Sequence, residues 1–154
     1  MHNIYTKIIA GIQRYFKENH AERAVIGVSG GIDSALCLKL TVDALGSQNV
    51  VAILMPEKGI STDENFLHAK TLCQFLQVVH HSVPINKYLT DFLSLPWKPN
   101  DLAQINLKAR IRMVILYNFA NTKNCFVIGT SNKTEFALGY GTKYGDLAAD
   151  IEII

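Results

Sequence analysis

No stretch of this 154-residue chain is apolar for long enough to cross a bilayer. The densest, from Ile111 to Ala120, is broken by Arg112 and Asn118 and falls short of the roughly 20 residues that a spanning helix needs. No charged start leads into an apolar core, so no secretory signal is expected and the cytoplasm is the expected compartment. Neither sign of charge dominates. The net charge is +2 and the basic residues are scattered, which argues against nucleic acid or an anionic membrane as a partner. Cysteine is scarce: Cys37, Cys73 and Cys125 are odd in number, far apart and set in apolar runs. That excludes a disulfide framework and predicts reduced, buried thiols. The five histidines lack metal-ligand spacing, and adjacent His80 and His81 would point to opposite faces of a strand. Internal repeats, low-complexity tracts and linkers are also missing, so residues 1–154 read as one domain.

What is present is a chain 49% apolar and 18% charged, the composition of a folded globular protein. Ile4, Ile8, Ile12, Tyr15 and Phe16 recur at helical spacing and predict an amphipathic helix over 3–19. Short apolar runs over 24–28, 50–55, 78–83 and 125–128 predict four strands. Between them, helices are expected over 34–45, apolar nearly all round and closed by Gly46, and over 61–77, opened by the capping-box sequence Ser61-Thr62-Asp63-Glu64. A long helix is expected over 101–121 and a short one over 133–138, while 84–100, with three prolines and Trp97, reads as a short helix and loop. Buried strands alternating with helices predict an α/β fold: a doubly wound parallel sheet with helices on both faces and right-handed crossovers.

In such sheets ligands bind beyond the carboxyl ends of the strands. There the first strand runs into Gly27-Val28-Ser29-Gly30-Gly31-Ile32-Asp33-Ser34 and then into a helix. Two glycines allow consecutive N–H groups to converge, the helix adds its positive end, and Ser29 and Ser34 offer hydroxyls. Together these make an anion cradle. Asp33 would repel a phosphate unless a Mg²⁺ ion lay between them. The loop lacks the Gly-Lys-Ser/Thr ending of common nucleotide kinases and is not a dinucleotide Gly-x-Gly-x-x-Gly.

The loop resembles the Ser-Gly-Gly-x-Asp-Ser pyrophosphatase loop of enzymes that split ATP between its α- and β-phosphates. Two further stretches narrow the likeness. Gly129-Thr130-Ser131-Asn132-Lys133-Thr134-Glu135, continuing as Leu138-Gly139-Tyr140-Gly141-Thr142-Lys143-Tyr144-Gly145-Asp146, and Asn106-Leu107-Lys108-Ala109-Arg110-Ile111-Arg112-Met113 are similar to signatures of the NAD synthetase family. That resemblance, of the ammonia-dependent type, implies an adenine nucleotide alpha hydrolase-like fold and the ATP-dependent amidation of deamido-NAD through an adenylate. It implies that residues Gly27 through Ser34 and Thr130 bind ATP, that Asp33 and Glu135 hold Mg²⁺, and that Arg110, Lys143 and Asp150 contact deamido-NAD. It also implies a homodimer through the helix over 101–121, where apolar residues exceed a single stripe. Only one helix precedes the loop, so ammonia is expected to arrive free or from another chain.

The chain departs from the family pattern at Gly141, which replaces an aromatic, and at Leu147, which replaces a glycine. It ends at Ile154, where the family continues with a loop and a lysine that bind ATP and substrate, so weak activity of the chain alone is expected. Two other readings stay open: another ligase of the same loop group, directed at GMP or tRNA, and a non-catalytic nucleotide-binding remnant.

Overall fold

The computed structural model describes residues 2–154. Five strands form one wholly parallel sheet: β1 (Ala24–Gly27), β2 (Val50–Leu54), β3 (Val79–Ser82), β4 (Phe126–Gly129) and β5 (Ile151–Glu152). Their order is β3-β2-β1-β4-β5. The helices are α1 (His2–Glu18), α2 (Ile32–Leu45), α3 (Asp63–Phe75), α4 (Asn86–Leu89), α5 (Asp101–Lys123) and α6 (Lys133–Leu138).

Strand periodicity divides the core. Ala24 and Ile26 of β1 join one apolar cluster, with Ile12 and Phe16 of α1, Cys37, Leu38 and Leu40 of α2, and Ala69 and Cys73 of α3. Val25, between them, joins the other, with Ile111, Met113, Leu116 and Ala120 of α5. Successive side chains point to opposite faces, so a strand apolar at every position needs helices on both sides. The expected doubly wound α/β sheet is what the chain forms.

Local chemistry explains most boundaries. Thr62 caps α3, its side chain accepting from Asn65 N, and Asn100 caps α5 by accepting from Ala103 N. Gly46 ends α2 with φ 84°. Cys37, Cys73 and Cys125 are free and buried, as expected. Burial pushes the Cys37 thiol up to about 12 and that of Cys73 up to about 11, so both are inert packing groups. Among the described residues no helix is long and apolar enough to cross a membrane.

Three expectations need correction. The sheet has a fifth strand: β5 is two residues long, too short for any periodic signal, and is held by pairing with Ile128 and Gly129. β3 is not buried on both faces. It lies at the sheet edge and Val79 is 59% exposed, because one side of an edge strand has no neighbour. Nor is α2 covered all round: Ile32 and Leu36 are exposed at the end that carries the glycine loop. Residues 84–100 contain α4 and a short 3-10 turn (Thr90–Ser94), with Trp97 exposed.

Candidate functional site

The chain leaves β1 in one direction towards β2 and β3 and returns on the other side as β4 and β5. The carboxyl ends of β1 and β4 therefore flank the switch point, where two loops diverge and leave a crevice. Gly27, Val28 and Ser29 line one side of this crevice, and Ile128, Gly129 and Thr130 the other. α3 contributes Asn65, Phe66 and Ala69, and α5 contributes Ala109, Arg112, Met113 and Leu116. The space they enclose measures about 390 Å³, in the range of small-molecule sites.

The Ser29–Ser34 loop is shaped from within. Ser34 Oγ donates to Gly31 O at 3.0 Å and accepts from Ser29 N at 3.2 Å. The two serine hydroxyls lie 3.0 Å apart, and Gly31 N donates to Ser29 Oγ at 3.2 Å. Ser34 is only 4% exposed, so its hydroxyl sets the loop's form in this state rather than facing the crevice. Gly30 takes φ 91°, and a Cβ there would stand 2.1 Å from the Asn65 carbonyl oxygen of α3. The loop is thus pressed on the first turn of α3 by a contact that only glycine permits. α2 starts at Gly31 without a side-chain cap, so its first-turn N–H groups are not spent on one. Ile32, Asp33 and Ser34 form that first turn.

Asp33 and Glu135, remote in sequence, meet at one residue. Asn132 Nδ2 donates to Asp33 Oδ2 at 3.5 Å, while Asn132 N donates to Glu135 Oε2 at 2.9 Å. The second bond is half of a capping box in which the Asn132 side chain accepts from Thr134 N and Glu135 N. The cap needs only one Glu135 oxygen. Among the described residues no three His, Cys, Asp or Glu side chains gather as a metal cage. Two carboxylates beside a glycine loop would still suit Mg²⁺, which keeps water and takes phosphate oxygens to complete its shell.

Arg110 and Lys143 share an exposed rim, where Arg110 Nε donates to Lys143 O at 3.2 Å. Lys143 Nζ lies 5.0 Å from the Tyr144 ring centre. The following turn is anchored by buried Thr142, which donates to Asn106 Oδ1 at 2.8 Å and whose N–H donates to Asp146 Oδ1 at 3.0 Å. Asp146 is thereby placed on the crevice wall. Asp150 is not among the crevice residues. Its carboxylate accepts from Val127 N at 2.7 Å and from Tyr117 OH at 3.1 Å, which joins it to β4 and α5.

Glu152 escaped the sequence reading. Its Oε2 accepts from Ser131 N at 3.2 Å, but Oε1 is buried without a partner, and the carboxylate lies where a Gly129 Cβ would be. Burial, opposed by the Ser131 N–H and reinforced by Asp146 and Glu135, pushes its carboxyl up to about 7. Since this lies above the ordinary 4.5, the stability from neutral Glu152 is complete below that value and is lost as pH rises through about 7. Glu152→Gln should therefore be the more stable protein at pH 8 by about 1–2 kcal/mol, after discounting for partial exposure, and show no advantage at acidic pH. Denaturant midpoints at both pH values measure this; parallel pH dependence in the two proteins would disprove it. Arg112, Asp146 and Asn65 also lie on the crevice without having been singled out as site residues, because a lining role leaves no local pattern.

A sequence model of the NAD synthase family matches residues 4–154. The NH(3)-dependent NAD(+) synthetase of Methanococcus aeolicus is 46% identical over 89% of this chain and 55% of the relative. The structure of the NH3-dependent NAD synthetase from Campylobacter jejuni, in complex with the nitrate ion, superposes with TM-score 0.93 at 41% identity, covering 99% of this chain and 66% of that one. NMN synthetase from Francisella tularensis superposes with TM-score 0.92 at 32% identity, covering 99% and 63%. The chain spans little more than half the length of the archaeal relative.

Proposed function

The chain belongs to the NAD synthase family, and we propose that it forms the ATP-handling part of a ligase that amidates deamido-NAD with ammonia. The observation that carries this reading is the juxtaposition at the switch point: a 390 Å³ crevice opening beside a glycine loop and an uncapped helix start. Adenosine would occupy the crevice, against the wall formed by Val28, Met55, Phe66 and Leu116. Its triphosphate would run out to the Ser29–Ser34 loop, past Thr130, where N–H groups and the α2 dipole receive negative charge.

A carboxylate is a poor acyl donor because oxide is a poor leaving group. In the proposed reaction the nicotinate carboxylate oxygen attacks the α-phosphorus, the bond to the β-phosphate oxygen breaks, and pyrophosphate leaves. Ammonia then adds to the acyl carbon, AMP departs with the carbon–oxygen bonding pair, and the extra proton passes to solvent. The protein's part is positioning and charge neutralisation. Asp33 and the free oxygen of Glu135 would hold Mg²⁺, which when bound neutralises phosphate charge. Arg110 and Lys143 would receive the dinucleotide's anionic groups on the rim that they share. Asp150, joined to β4 and α5, would support that side of the substrate site through its backbone surroundings. Leu102, Ile105 and Val114 of α5 are exposed beside its buried residues, which supports pairing of two copies through this helix.

The similarity to an NMN synthetase favours one second reading: the same chemistry on the mononucleotide acid. Calorimetry with Mg²⁺ and a non-hydrolysable ATP analogue separates the two. Deamido-NAD should bind more tightly than nicotinate mononucleotide, and far more tightly than xanthosine monophosphate or aspartate. Arg110→Ala should weaken deamido-NAD by about 1.5–3 kcal/mol, the worth of a charged hydrogen bond. Preference for the mononucleotide would establish the second reading, and equal binding of all four acids would refute both.

A further inference from the structure

Arg112 holds an unusual position among the chain's cations. It projects from α5 onto the wall of the crevice, whose other lining residues include no lysine or arginine. Its Nε donates to Met55 O at 3.2 Å, just past the end of β2, which fixes the plane of the guanidinium. Its two terminal nitrogens have no hydrogen-bond partner, and it makes no ion pair, among the described residues.

The nearby carboxylate does not serve it. Glu57, itself 8% exposed, is bound by Lys108 Nζ at 2.8 Å, so its charge is already matched. Burial lowers the Arg112 pKa, and Glu57, acting only from a distance, partly restores it. A half-buried guanidinium without a counter-charge is costly, whereas merely bonding the Met55 carbonyl would need only a neutral donor. The surplus is a positive charge with two free donor nitrogens on the wall of a mainly apolar crevice, whose one carboxylate, Asp146, makes no ion pair with it.

We propose that Arg112 binds the phosphate attached directly to the nucleoside, an inference that rests on the ATP reading of this crevice. That phosphate is the first anionic group to leave the apolar part of the cavity, and Ser29 and Thr130, which mark the way to the glycine loop, line the same space. The outer phosphates fall to the loop and the start of α2, and the inner one falls to Arg112. A guanidinium fork suits two phosphate oxygens. During adenylylation this phosphorus gains an entering oxygen before it loses pyrophosphate, so a fixed cation there favours the charge that develops.

Affinities of adenosine, AMP and ATP, measured by calorimetry for the unmodified chain, R112M and R112K, test the assignment. Methionine keeps the apolar stem, so R112M should retain adenosine affinity while AMP and ATP weaken by about 10- to 100-fold. R112K keeps the charge but loses the fork and should fall between. Retained adenosine binding also reports that the variant is folded. Equal weakening of all three ligands, or an unchanged ratio of AMP to adenosine affinity, would overturn the assignment and leave the ATP reading standing. If the unmodified chain bound none of the three, the ATP reading would fall and this inference with it.

Discussion

Gly30→Ala is expected to destabilise the protein by about 3 kcal/mol or more and to abolish measurable ATP binding. Two costs combine. The backbone at φ 91° is strained for any residue with a Cβ, at about 1–3 kcal/mol. The Cβ would also stand 2.1 Å from the Asn65 carbonyl oxygen and 2.9 Å from its Cα, which are parts of α3 and cannot swing aside. Either the loop lifts from α3 or the helix start shifts, and in both cases the crevice changes shape. Gly59 supplies the control, with φ 88° and nothing within 4 Å of an added Cβ. Gly59→Ala should show the backbone cost alone and retain ATP. Urea unfolding and ATP titration of both variants measure the difference; similar losses in the two would mean that the contact with α3 is unimportant.

Asp33→Asn should leave the fold intact and reduce Mg²⁺-dependent ATP affinity by about 100-fold or more, beyond the 10- to 100-fold typical for losing a partner of a metal ligand. An asparagine oxygen can still accept from Asn132 Nδ2, so the contact between the two loops survives. What disappears is the negative charge that would make the position a Mg²⁺ ligand. Glu135→Gln is the matching variant, because glutamine can also close the capping box with Asn132 N. In both variants the ATP affinities with and without Mg²⁺ should converge. Full Mg²⁺ dependence in Asp33→Asn would remove Asp33 from the proposed metal site.

The long-range meeting of Asp33 and Glu135 shows where the sequence is informative. Each loop carries its own local signals: glycines after a β-branched run, and an Asn-x-x-Glu box before α6. These signals arise from backbone geometry and capping, which act over a few residues and leave a mark at fixed spacing. The four longer strands, the position of α6 and the order of β and α units were legible for the same reason. The two-residue β5 was not, since it exists only because β4 offers it an edge. The exposure of β3 was equally hidden: its residues lie outermost because of strand order, which is a property of the whole sheet.

The sequence by itself determined an α/β chain with a Ser-Gly-Gly-x-Asp-Ser loop after its first strand, and a likeness to NAD synthetases carried by three separated motifs. The tertiary structure alone decided which side chains share the crevice. Arg112 and Arg110 are two residues apart on α5, yet one lies on the crevice wall at Met55 and the other on the exposed rim at Lys143. The physical reason is that a helix turns about 100° per residue, so neighbours in sequence face different surroundings, and burial is set by what packs there. The same holds for Glu152, an ordinary acid in the sequence whose titration is set by burial first, and then by the Ser131 N–H, Asp146 and Glu135 around it. Local chemistry writes loops and caps into the chain, whereas charge, burial and shared cavities arise only when distant segments are brought together.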